Sequence, residues 1–84
     1  MPPETAKLIY DMKVASERIG RFVAGKAFDD FLHDELLRSG VERQFEIIGE
    51  AMSRLIKRDR RVAEKISEYR QIAGFRNALI HGYD

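Results

Sequence analysis

The sequence contains no cysteine and no tryptophan, and its two prolines lie at positions 2 and 3. Without cysteine, neither disulfide bonds nor zinc–thiolate sites can stabilise the fold. No apolar stretch approaches the roughly 20 residues that cross a bilayer. The N-terminus, MPPETAKLIYDMK, lacks the basic-then-apolar order of a secretory signal. We therefore expect a cytoplasmic protein without membrane contact.

Motifs of the common catalytic classes are also missing. The sequence has no GxxxxGK[ST], HExxH or GxSxG pattern. Of its two histidines, His33 follows Asp29 and Asp30 by four and three residues, a spacing that permits a metal pair. Two ligands on one helix face are a weak signal, and a solvated surface is the favoured interpretation. We expect neither a metal nor a cofactor.

The length limits the fold to one small domain, and the charge distribution indicates which half of the chain would bind a polyanion. Eighty-four residues form one domain, 1–84, and 44% hydrophobic with 35% charged residues is typical of a soluble globular chain. A domain of this size has a thin core, so we expect a homodimer. Residues 1–42 carry a net charge of −2 and residues 43–84 a net charge of +3. A polyanion is therefore expected on the second half.

The spacing of apolar residues is helical throughout, and strand signals are absent. One stripe predicts a helix from about Glu4 to Val23, with Gly25 ending it. A second stripe predicts either a single rod or a short helix Phe28–His33 followed by a long one to Lys57. Shorter helices follow the break at residues 58–61, the first of them carrying Val62, Ile66 and Tyr69. The prediction is an all-α antiparallel bundle of four to five helices. Its expected core includes Phe22, Phe45, Met52 and Phe75.

A cluster of basic residues surrounds the predicted break. Such a cluster can track RNA phosphates, each contact adding salt dependence. A solvated helix end, where cations also favour the helix dipole, explains it equally well. The cluster consists of Arg54, Lys57, Arg58, Arg60 and Arg61.

The C-terminal segment 74–84 places polar groups among apolar ones. A histidine that exchanges a proton near neutral pH, beside a permanently charged arginine, suits phosphodiester cleavage. Five steps of 100° separate Arg76 and His81 by about 140° on a straight helix. They converge only if the helix ends near Gly82 or if they meet across a dimer interface. A capping histidine and a surface arginine remain the alternative.

Two motifs then carry a family resemblance. FEIIGEA at 45–51 and IAGFRNALIHGY at 72–83, with IYDM at 9–12 and FDDFL at 28–32, resemble the HepT-like branch of the HEPN superfamily. The resemblance covers nearly the whole chain in the expected order. It implies a helical-bundle ribonuclease that is the toxin of a two-gene toxin–antitoxin system and works as a homodimer. We expect the cleavage to need no metal, because the 2′-hydroxyl of RNA can itself attack the phosphate.

The resemblance also implies roles for individual residues. Arg76 and His81 would be the catalytic pair in a cleft shared by two protomers, and Asn77 would position the arginine or a phosphate. Tyr83 would be adenylylated by a nucleotidyltransferase antitoxin. Related chains continue past the His-x-Tyr with a further helix, so we expect a bundle without that C-terminal helix. Outside this reading, a non-catalytic nucleotide- or partner-binding module and a dimerisation unit remain alternatives.

Overall fold

The computed structural model describes residues 1–66 and Tyr69. These residues form four helices, α1 (Pro3–Val23), α2 (Phe28–His33), α3 (Glu35–Arg58) and α4 (Arg60–Ala63), and no strand. The all-α prediction is confirmed for this part of the chain. Within the same residues, no helix has both the length and the apolar character needed to cross a membrane.

Helix α1 begins and ends where its sequence predicts. Pro3 occupies the first turn, where a missing N–H costs little, and Glu4 meets the positive end of the helix dipole. The helix ends at Val23, and Gly25 follows with φ +72°. Glycine reaches this left-handed region without the steric cost that other residues bear.

Aspartate caps settle the alternative between one rod and two helices in favour of two. Asp34 adopts an extended conformation between α2 and α3, and its Oδ1 accepts a hydrogen bond from Leu37 N at 3.0 Å. At the start of α2, Ala27 N donates to Asp30 Oδ2 at 2.8 Å. These carboxylates satisfy backbone donors that have no partner within their helices.

A third aspartate separates α3 from α4. Asp59 follows the last residue of α3, and its Oδ1 accepts from Val62 N at 3.3 Å. The break predicted at residues 58–61 is therefore present. Helix α4 is shorter than the spacing of Val62, Ile66 and Tyr69 predicts, since it ends at Ala63. Ile66 and Tyr69 nevertheless pack against the core.

Helices α1 and α3 form an antiparallel pair. Glu4 Oε2 lies 3.7 Å from Arg58 Nη1 at one end, and Arg18 Nη1 donates to Gln44 Oε1 at 3.4 Å toward the other. The buried core cluster lies nearer the α4 end of this pair. It consists of Met12, Ala51, Met52, Leu55 and Ala63, with Leu8, Ile9, Ile48 and Ile56 among the half-buried side chains packed against it.

The aromatic core prediction is correct only in part. Met52 is buried and Phe45 half-buried, whereas Phe22 is 36% exposed. Phe22 lies in the last turn of α1, away from the core cluster, and its ring lies beside Gly40 of α3, which has no side chain to cover it. Phe75 lies outside the described residues.

Candidate functional site

The four residues predicted from the C-terminal motif lie outside the described residues. They are Arg76, Asn77, His81 and Tyr83. Their arrangement therefore stays a prediction from the sequence. The other predicted group, the basic cluster at the end of α3 and in α4, lies within the described part.

A groove runs between α1 and α3. It consists of two cavities, of about 610 and 240 Å³, which share Leu8, Asp11 and Arg54 in their linings. We call this continuous feature the α1–α3 groove. Leu8, Ile47 and Ala51 supply apolar lining, and charged side chains of both helices supply the rest. The charged lining residues are Glu4, Lys7, Asp11, Arg43, Glu46, Glu50, Arg54, Lys57 and Arg58.

The groove brings together three of the five residues in the basic cluster. Arg54, Lys57 and Arg58 line it from the last turns of α3. Arg60 and Arg61 belong to α4, beyond the turn at Asp59, and do not line either cavity. The cluster is therefore divided between two helices, with its first three members facing α1.

Several cations of the cluster are ion-paired on the surface. Arg54 Nε donates to Glu50 Oε1 at 3.0 Å, Arg58 lies 3.7 Å from Glu4, and Arg60 lies 3.6 Å from Glu64. All three arginine side chains are more than half exposed. Because exposed pairs contribute only about 0–1 kcal/mol, a phosphate can compete for these guanidinium groups.

Two cations have no such partner among the described residues. Lys57 and Arg61 are exposed and have no carboxylate within 4.0 Å in that part of the chain. The stretch 54–61 contains five basic residues and one acidic residue. It is therefore the most positively charged surface segment of α3 and α4, and Lys57 joins it to the groove.

Sequence reasoning missed the contribution of α1 to this groove. Lys7 and Asp11 lie almost fifty residues before the basic cluster, and their side chains form an ion pair at 2.9 Å. Their i, i+4 spacing on the polar side of α1 was the available signal. Only the antiparallel packing shows that this side faces the end of α3.

Acidic side chains flank the middle of the groove. Glu46 and Glu50, on either side of buried Gly49, are both half-buried and line the smaller cavity. Glu46 lies 3.4 Å from Arg43 Nη1, and Glu50 bonds to Arg54. The carboxylates thus hold arginines at the groove wall, where the guanidinium groups can meet an anionic ligand.

His33 lies on the surface, within hydrogen-bonding distance of Asp29. Its Nδ1 lies 2.9 Å from Asp29 O and 3.5 Å from the Asp29 carboxylate, and both side chains are largely exposed. Across the described residues, no group of three or more histidine, aspartate or glutamate side chains could hold a metal ion.

The described residues form an all-α domain with a groove of mixed charge beside a basic helix end. Comparison with known proteins supplies the family. Residues 12–84 match the model of the family described as "Ribonuclease HepT-like". The chain belongs to this HepT-like family. No solved structure matches it significantly.

Individual relatives agree with the family match. A Caldanaerobacter subterraneus subsp. tengcongensis protein named "Putative RNase" is 43% identical over 61 residues, 73% of this chain and 54% of the relative. A Methanocaldococcus jannaschii protein with the same description is 33% identical over 75 residues, 89% of this chain and 68% of the relative. A Thermococcus cleftensis "Probable ribonuclease HepT" is 37% identical over 73 residues, 87% of this chain and 66% of the relative. The chain thus spans about half to two thirds of these relatives.

Proposed function

We propose that the protein is a metal-independent endoribonuclease that acts as the toxin of a toxin–antitoxin system. The observation that carries the proposal is the family match over residues 12–84, a range that includes Arg76 and His81. Relatives named as ribonucleases support the same class of activity.

The chemistry follows from the two side chains. His81 takes the proton of a ribose 2′-hydroxyl, whose oxygen attacks the adjacent phosphorus and displaces the 5′-oxygen of the next nucleotide. A proton returned by the imidazole to the leaving oxygen completes the cleavage and leaves a 2′,3′-cyclic phosphate. Arg76 stabilises the negative charge that develops on the phosphate oxygens. The reaction needs the 2′-hydroxyl, so DNA is not a substrate.

Two protomers form the active site in this proposal. Arg76 and His81 are separated by about 140° around a straight helix, which hinders their convergence within one chain. A homodimer places the Arg-x4-His motifs of both copies on a shared cleft, and Asn77 positions the arginine or a phosphate. The basic cluster leads RNA toward this cleft along the cations at the end of α3.

Regulation in this proposal acts through Tyr83. A nucleotidyltransferase antitoxin transfers an adenylyl group from ATP to the tyrosine hydroxyl: the hydroxyl oxygen attacks the α-phosphorus, loses its proton and displaces pyrophosphate. The adenylyl group then blocks access to His81, two residues before Tyr83. Mass spectrometry after incubation with such an enzyme and ATP should find one adenylyl group on the peptide containing Tyr83. Modification of a Tyr83→Phe variant at the same level would refute the assignment.

RNA cleavage in EDTA tests the proposed activity. We expect the wild type to cleave a single-stranded RNA, and His81→Ala and Arg76→Ala each to reduce the rate at least about 100-fold, the usual scale for a general acid–base group or a charge-stabilising donor. His33→Ala is the matched control, because His33 is exposed on α2 and should leave the rate unchanged.

The same experiment discriminates the alternative. Equal RNA binding by wild type and His81→Ala, with no turnover by either, would identify a non-catalytic binding module. Cleavage retained by His81→Ala would remove this histidine from the mechanism.

A further inference from the structure

We infer that the larger cavity of the α1–α3 groove binds the phosphate backbone of a single-stranded nucleic acid, whether its sugar is ribose or deoxyribose. The inference rests on the proposed function for its natural ligand, RNA, and adds a second helix to the binding site. The basic cluster supplies cations from the α3 wall of the cavity. Lys7 lines the opposite wall on α1, together with its ion-pair partner Asp11.

Helical spacing places the charged groups on facing walls. Arg54, Lys57 and Arg58 are separated by three and four residues, so they share one face of α3. The lining residues at positions 4, 7, 8 and 11 have the same spacing on α1. Arg58 Nη1 lies 3.7 Å from Glu4 Oε2, and this ion pair joins the two walls. A phosphate in the cavity therefore meets cations from both helices.

The balance of charge favours an anion in the larger cavity. The smaller cavity has the opposite balance, because two basic and three acidic residues line it. A phosphate backbone is therefore attracted to the end of the groove beside the last turns of α3. The charged lining of the larger cavity consists of four basic residues, Lys7, Arg54, Lys57 and Arg58, and two acidic ones, Glu4 and Asp11.

Ion pairs in the cavity can be exchanged for a phosphate. Lys7 Nζ lies 2.9 Å from Asp11 Oδ2, and both Lys7 and Arg58 are more than half exposed. Exposed ion pairs contribute little to stability, because water solvates the separated charges well. A phosphate offers the same cations charge-assisted hydrogen bonds. Asp11 therefore competes with the bound backbone for Lys7.

The size and lining of the cavity suit a nucleotide unit. Its volume of about 610 Å³ lies within the range of roughly 300–1,000 Å³ that is typical of ligand sites. Leu8 is half-buried and supplies an apolar surface beside the cations, against which a sugar or base can pack. The cations contact phosphate, which RNA and DNA share, so the site binds both nucleic acids.

Fluorescence anisotropy of the full chain with a labelled single-stranded DNA tests the site. The proposed cleavage needs a 2′-hydroxyl, so this probe stays intact. We expect Lys7→Gln to weaken binding about 10-fold, the effect of losing one hydrogen bond to a charged group. It should also reduce the slope of log K against log salt concentration by about 0.7. Lys13→Gln is the matched control, because Lys13 is an exposed lysine of α1 outside both cavities.

The partner of Lys7 gives a variant of opposite sign. Asp11→Asn keeps the size of the side chain and removes the competing carboxylate, so it should strengthen DNA binding several-fold. If the ion pair only stabilises α1, both variants bind DNA as the wild type does, and the inference is overturned. A wild type that binds polyglutamate of equal charge as tightly as DNA also overturns it. Far-UV circular dichroism should show equal helix content in all variants, since an exposed pair adds little to the helix.

RNA cleavage measured on the same samples separates this inference from the proposed function. Single-stranded DNA should inhibit RNA cleavage by the wild type, and about 10-fold more DNA should be needed with Lys7→Gln. DNA binding that depends on Lys7, in a protein that never cleaves RNA, supports the site and contradicts the ribonuclease. RNA cleavage by a protein whose affinity for DNA does not depend on Lys7 contradicts the site alone.

Discussion

At the scale of single residues, Thr5 has a buried hydroxyl group without a partner. The residue is fully buried in the first turns of α1, and among the described residues its Oγ1 has no hydrogen-bond partner. A buried hydroxyl without a partner loses its hydration and gains nothing in exchange. The unpaired hydroxyl therefore lowers the stability of the fold at the start of α1, next to the end of α3 that carries Arg58.

Thr5→Val should therefore stabilise the fold. Valine keeps the shape of threonine and removes the unpaired hydroxyl, so we expect the free energy of unfolding to rise by about 1 kcal/mol in urea titrations followed by circular dichroism. Thr5→Ala, which also removes the packed methyl group, should gain less or lose stability. A valine variant less stable than wild type would show that the hydroxyl has a favourable interaction.

At the scale of elements, two glycines near the end of α1 have opposite roles. Gly20 lies inside the helix, and a Cβ placed there meets no atom within 4 Å. Gly25 lies beyond the helix at φ +72°, where a Cβ is strained whatever the space around it. At Gly20 the glycine lowers stability, because it loses more backbone entropy on folding than alanine would. At Gly25 the positive φ requires a residue without a Cβ, so glycine is favourable there.

Matched alanine substitutions test this difference. Gly20→Ala should raise the free energy of unfolding by about 0.5–1 kcal/mol, because alanine is the better helix former. Gly25→Ala should lower it by about 1–2 kcal/mol, because the left-handed conformation then carries a steric cost. If the two variants change the free energy of unfolding equally in denaturant titrations, the left-handed conformation assigned to Gly25 after α1 is contradicted.

At the scale of the whole molecule, basic and acidic residues are concentrated in different parts of the described surface. The basic segment 54–61 and the acidic residues in and around α2 lie toward opposite ends of the antiparallel pair, because Arg58 meets the start of α1 whereas α2 follows its end. A polyanion is therefore expected at the end of the pair that carries Arg58. The proposed function places the contact with RNA in this basic region.

The salt dependence of RNA binding measures the contribution of Lys57. Each phosphate contact with a single strand contributes about −0.7 to the slope of log K against log salt concentration. We expect Lys57→Gln to weaken binding and to reduce the slope by about this amount, because Lys57 lines the groove and has no acidic partner in the described part. Lys13→Gln, an exposed substitution on α1 outside both cavities, is the control. Equal slopes for wild type and Lys57→Gln would exclude Lys57 from the RNA contact.

Local sequence patterns were sufficient to predict the helical class of the described residues, the limits of α1 and the break after Arg58. Each depends on interactions within a few residues: apolar spacing, a proline and an acid in the first turn, glycine after the last. Family membership also follows from sequence, since the motifs at 45–51 and 72–83 lie within the matched range 12–84. The catalytic roles of Arg76 and His81 are predicted from the sequence alone, because both residues lie outside the described part of the chain.

The side chains that share a surface are known only from the packing of the helices against each other. Periodicity assigned Phe22 to the core, but packing leaves its ring beside Gly40, away from the buried cluster. The groove joins Lys7 and Asp11 of α1 to the last turns of α3, and it excludes Arg60 and Arg61. Helical spacing shows which residues of one helix lie on the same face. Which face of α1 meets which end of α3 depends on contacts between residues far apart in the chain, and a local pattern does not contain that information.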